Sequence, residues 1–231
     1  TADTLNWDTG NMEGTGSTTA TSVVNFTGSN AISLNDRTFN NAGAAIWNKT
    51  SYLIMNPSAI FNNQAGATFT IQTSGAHIIF WQGTFNNLGT ITKTMAELTD
   101  FVGVFNNSAT GVVSVETGTL EINNNNGTTS SGAYDVHTGA TLRLTGNHNL
   151  SGSVSCTGSG TIEIAGNINV SGAYAFTGAT SLSSGMLNLN TGSTASTVIM
   201  NITGGSVTGA GDLTADTLNW DTGNMEGTGS T

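Results

Sequence analysis

Two short stretches bring together residue types that can move protons. Glu97 and Asp100 lie close together in TMAELTDF, and Asp135 sits beside His137 in AYDVHTG. Glycoside hydrolysis needs two carboxylates across a cleft, typically ~5 to 9 Å apart, and an acid–histidine pair is the usual frame for a general base. For both stretches the plainer reading, solvated residues on a face or loop, is preferred. A pectate-lyase-like site would add acidic calcium ligands and a basic residue within a few turns, whereas Arg37, Lys49, Lys93 and Arg143 are scattered. No GxSxG occurs, and His77, His137 and His148 lack ligand spacing and read as turn or face residues. TGAGDLTAD, near residue 208, has the glycine and aspartate of a calcium-binding nonapeptide, but such sites need adjacent copies and it occurs once. The expectation is no catalytic residue, no cofactor and no metal.

The elements that carry these residues are suggested by composition. Only 8% of the 231 residues are charged, there is one Pro, and Gly, Thr, Ser and Asn dominate beside plentiful Val, Ile and Phe. Disorder goes with high charge and few β-branched residues, so an ordered, turn-rich all-β chain is expected. A net charge of −10 with four basic residues argues against nucleic acid and anionic lipid as partners. The single cysteine, Cys156, can close no internal disulfide, and its alternating neighbourhood SVSCTGSG reads as a small buried apolar position. The N-x-S/T sequons at Asn25, Asn48, Asn106, Asn126, Asn149, Asn169 and Asn201 are no more than this composition supplies by chance.

Repetition is the strongest signal. TADTLNWDTGNMEGTGST occupies residues 1–18 and again 214–231 without a substitution, which sets a period of 213 residues. Residues 1–213 therefore read as one complete unit and 214–231 as the first coil of the next, a segment of a tandem array, and a piece from the middle of a longer polypeptide is expected to show no signal peptide. Asp8 and Glu13 recur as Asp221 and Glu226 for that reason alone.

A shorter period runs inside the long one. The rows starting at 131, 151 and 171 put Tyr134, Val154 and Tyr174 in one column, Val136, Cys156 and Phe176 in a second, and Leu142, Ile162 and Leu182 in a third. Within each row apolar and polar residues alternate, the period of a strand with one buried face. FNN recurs at Phe39, Phe61, Phe85 and Phe105, spaced by 22, 24 and 20 residues. Units of about 20 residues that repeat in register predict a parallel β-helix, right-handed by the usual crossover rule, with coils about 4.8 Å apart. A string of immunoglobulin-like sandwiches is the rival, but its hairpins do not suit column matching at one fixed period.

In that frame each FNN phenylalanine points inward and its asparagines occupy the corner, where Asn tolerates left-handed angles. Asn40, Asn62, Asn86 and Asn106 then stack as an amide ladder along the axis. Glu121, Arg143 and Glu163, each between two apolar residues, are expected outside as acid, base, acid on successive coils.

The chain resembles the tandem β-solenoid repeats of giant bacterial surface proteins, akin to filamentous-haemagglutinin-type adhesins and autotransporter passengers. The residues that carry the likeness are LNWDTGNMEGTGST, TFNNAGA, TFNNLGTIT, VFNNSATGVVSVETGTLEI and the join GGSVTGAGDLTADTLNW. The resemblance implies a secreted or cell-surface scaffold, and no family catalytic residue maps onto any position here. An uncapped solenoid offers unpaired N–H and C=O groups at both axial ends, so the expected partner is the chain itself, the next repeat, in an extracellular fibre or adhesin stalk. The alternative is a polysaccharide-binding or polysaccharide-degrading β-helix, with a surface glycan as partner and Trp47, Tyr52 or Trp81 as exposed aromatics. Ice binding through Thr141 and Thr161 is weaker still, because the row breaks at Ser181. No membrane insertion is expected.

Overall fold

The computed structural model describes residues 1–72 and 78–231, with the side chains of 78–81 and 125–128 outside the description. His77 and the Trp81 side chain thus lie outside the described residues. Among the described residues there is no helix; short parallel strands build a β-solenoid of about 10 turns with about 21 residues each.

Each turn contributes three strands, so the solenoid has three faces. On the first, Ala2–Trp7 pairs with residues 20–26, and these with Ala44–Trp47 and then Thr68–Ile71. The second begins with Gly10–Glu13, Ile32–Asn35 and Leu53–Met55. The third carries Thr38–Asn41, Ile60–Asn63, 84–87 and 104–107. Corners between faces are short, and several strands run straight through one, as Thr99–Asn107 and Thr141–Leu150 do.

The register can be followed residue by residue along the first face. From Leu5 the pairings run through Val24, Ala45, Phe69, Ile91, Val113, Tyr134, Cys156, Phe176 and Thr197 to Ala215. Alternate residues on all three faces point inward and form one continuous core, with most of its aromatic rings between Trp7 and Phe105 and mainly aliphatic side chains from Val113 onward apart from Tyr134, Tyr174 and Phe176. Burying such side chains, at about 25 cal/mol per Å² of apolar surface, is the dominant favourable term.

All three columns of the 20-residue rows need correction. Tyr134 pairs with Cys156, not Val154, so Val136 does not lie over Cys156, and Ile162 pairs with Thr180, leaving Leu182 over Ile164. The cause is the corner between the first and second faces, which shortens from 137–140 to 177–178. Such slips are even-numbered, so every side chain keeps its face and the apolar columns still coincide. Gly158 sits where the first slip begins; its φ is +95°, and a Cβ there would stand 2.0 Å from the Val136 carbonyl oxygen. Only glycine fits both the backbone angle and the approach of the coil beneath.

Candidate functional site

The FNN segments form rows of side chains that run along the axis from coil to coil. Phe39, Phe61, Phe85 and Phe105 stack inside with successive ring centroids 5.0, 4.7 and 5.7 Å apart. One residue on, Asn62 Nδ2 donates to Asn40 Oδ1 at 2.8 Å, Asn86 to Asn62 at 2.9 Å, and Asn106 to Asn86 at 2.8 Å. These asparagines lie within strands, and none has a positive φ, so they are not left-handed corner residues.

The second asparagine of each FNN, expected beside the first at the corner, points inward and is fully buried. Asn41 Nδ2 donates to Asn63 Oδ1 at 2.8 Å, Asn63 to Asn87 at 2.9 Å, and Asn87 to Asn107 at 2.9 Å. The other amide hydrogen of each reaches a strand carbonyl across the corner, that of Thr68, Thr90, Val112 or Ala133. For Asn41, Asn63 and Asn87 both amide hydrogens are thereby used, which offsets the desolvation cost of burying the group. Inner donors point toward the C-terminal end and outer donors toward the N-terminal end, so the two columns of amide dipoles oppose each other. Strict alternation would have found the inner ladder, because the residue two after a buried Phe shares its face.

On the second face Asp100, Glu121, Arg143 and Glu163 follow one another in register. Arg143 Nη1 is 3.6 Å from Glu121 Oε2, and its Nε is 3.2 Å from Glu163 Oε2. With its side chain 40% exposed, Arg143 contributes modestly. Arg143→Ala removes the base between Glu121 and Glu163, leaving three acids in one row, and should cost about 1 kcal/mol in chemical denaturation at low salt, less at high salt. No salt dependence of that loss would mean the stack does not act through charge.

Two of the scattered cations are interior. Lys49 and Lys93 are fully buried, and each ammonium is held by backbone carbonyls of neighbouring corners: those of Asp8 and Thr27 for Lys49, and those of Met95 and Thr117 for Lys93. Lys93 occupies the inward column of Trp47, Ile71 and Val115. Burial lowers its pKa to about 8, with Glu97 acting weakly in the other direction. The folded value lies below the unfolded one, so above about pH 8 the unfolded chain binds more protons and stability rises with pH. Burial of Cys156 pushes its thiol up to about 12, an opposite effect that starts near the ordinary thiol range. The stability of the native chain minus that of Lys93→Met should therefore grow between about pH 8 and 10, by up to about 1.4 kcal/mol per pH unit. A flat difference would place the ammonium in water.

The acid–base candidates do not assemble. Asp135 and His137 are 3.1 Å apart but both exposed, with Thr157 donating to Asp135 at 2.8 Å. Glu97 is an exposed corner residue, while Asp100 lies in the charge row. His148 is not a turn or face residue: it is buried, its Nε2 lies near the carbonyls of Ile122 and Thr145, and burial lowers its pKa. Asp212, in TGAGDLTAD, accepts from the Ser230 backbone N–H and hydroxyl. Among the described residues no three of His, Cys, Asp and Glu cluster as a metal site.

Of the aromatics considered for sugar, Trp47 is fully buried and Tyr52 is 40% exposed. Thr141 stacks on Thr161, but the next residue in that row is Ala179. No helix among the described residues is long and apolar enough to cross a membrane. No protein-family model, curated protein or solved structure matches this chain.

Proposed function

We propose that the chain is a structural module of an extracellular fibre or adhesin stalk, extended by axial stacking of β-coils. The observation that carries this reading is a comparison of one residue in its two copies. Trp7 is 4% exposed beneath the following coil, whereas Trp220, the same residue of the recurring segment, is 53% exposed with Leu218 beside it at 40%. A coil packed on residues 214–231 in the way that the following coil packs on residues 1–18 would bury Trp220 as Trp7 is buried. The buried core, the two amide ladders and the charge row all run along the axis, so their stabilisation repeats with length and adds stiffness.

One period then adds about 50 Å of rod, from about ten coils at about 4.8 Å each. Chains of one, two and four periods, imaged by electron microscopy, should give rods whose length rises linearly with period number. Particles of one fixed length whatever the number of periods would overturn the reading. The polysaccharide alternative loses Trp47 to the core, and a glycan array separates it from the structural role.

A further inference from the structure

The two copies of the recurring segment keep the same local structure at opposite ends of the chain. Trp7 Nε1 donates to the Gly10 carbonyl at 3.3 Å, and Trp220 Nε1 to that of Gly223 at 3.2 Å. Asn6 accepts from Asn25 at 2.8 Å, and its twin Asn219 donates to Asn201 at 2.8 Å. One amide can make both bonds in one orientation.

The faces, however, differ. Leu5, Asn6 and Trp7 pair with Val24, Asn25 and Phe26 on the first face. Leu218, Asn219 and Trp220 pair with Met200, Asn201 and Ile202 on the second. Met12 lies over Leu34 on the second face, and its twin Met225 over Val207 on the third. The displacement is the same throughout, because Leu218 falls beyond Ala215, the residue that ten pairing steps from Leu5 reach. The period of 213 residues therefore holds ten turns and one further face.

We propose that a second copy of the repeat docks on coil 214–231 rotated by one third of a turn, so that three units restore the original facing. This rests on the reading of stacked units and adds their orientation. Placing residues 1–18 of the second copy on 214–231 of the first sets its Phe26 and Phe39 against Trp220, since those rings lie 5.9 and 6.0 Å from Trp7. Its Val24 covers Leu218, and its Asn25 donates to Asn219, continuing the ladder that began at Asn201. The second face of one unit runs on into the first face of the next. Any feature present once per unit, such as the row of Glu121, Arg143 and Glu163, then points in three directions around the fibre and recurs on one side every ~150 Å.

Two measurements test the rotation. In the chain itself, paired variants Asn201→Cys with Asn219→Cys and Ser196→Cys with Asn219→Cys are treated with a bimane that fluoresces once it bridges two thiols. The first pair should bridge several-fold more than the second, which reports a register returning to the first face; Cys156 is buried and stays silent. Bridging of the second pair in preference, or equal bridging of both, overturns the rotation. In a chain of six units with a tag inserted after Gly66, which faces open space, tags should appear at three azimuths in turn. Tags on one side of every rod would overturn the rotation and leave stacking intact. Units seen as separate, unstacked beads along the chain would overturn stacking and leave the thiol result standing.

Discussion

Asn63→Asp should destabilise the solenoid by about 3 to 5 kcal/mol near neutral pH, although it exchanges only an amide for a carboxylate. Asn63 is fully buried; it accepts from Asn41 and donates to both Asn87 Oδ1 and the Thr90 carbonyl. An aspartate keeps the first bond and loses both donors, turning two attractions into contacts between oxygens in a dry corner. Burial and those oxygens both raise the folded pKa of the new carboxyl above its unfolded value of about 3.9. A raised folded pKa means that the missing stability is present below the unfolded value and is lost as pH rises through the folded one. The deficit against the native chain should therefore be smallest near pH 3, where a protonated acid restores one donor, and should widen toward about pH 7. Urea denaturation across that range gives the curve. Asn62→Asp, on the half-exposed outer ladder, is the control and should cost about 1 kcal/mol or less. Equal losses in the two variants, or a deficit independent of pH, would mean that the inner ladder is wet.

How far the sequence could be read depended on which signal was followed. Where identity recurs, as in the FNN segments, partners and spacing are the same thing, and Phe39, Phe61, Phe85 and Phe105 pair directly. Where only polarity recurs, as in rows 131 to 190, spacing misplaced Tyr134 and Leu182 by two residues, because a corner can lose two residues without turning any side chain over. Lys93 and His148 were missed for a different reason. TITK and HNL obey the alternation that places Lys93 with Ile91, and His148 with Leu150, on the buried side. The ordinary preference of charged and polar groups for the surface points the other way. What the alternation could not give was the means of burial: carbonyls from other coils, far away in the sequence, that receive the ammonium and the imidazole.

Phe61→Ala should cost about 3 to 5 kcal/mol and, more tellingly, should divide unfolding into two steps. Phe61 lies 5.0 Å from Phe39 and 4.7 Å from Phe85, with Phe69 edge-on at 5.7 Å, so its ring touches an aromatic of the coil on either side. In a solenoid each coil meets only its neighbours, and cooperativity is the product of those interfaces. Removing one ring leaves a cavity across both interfaces of a single coil, which the stiff stacked backbone cannot close. The turns before Phe61 then lose their coupling to the rest and should melt at lower denaturant. Trp7 and Trp47 report on that end and Trp220 on the other. Fluorescence of Trp220 alone, in a chain with Trp7, Trp47 and Trp81 replaced by Phe, should keep nearly its native midpoint, while hydrogen exchange through residues 1–55 should accelerate. Phe61→Leu, which keeps most of the volume, should restore a single transition. If Phe61→Ala still unfolds in one step with coincident probes, coupling is carried by the backbone ladders and the aromatic stack is merely filler.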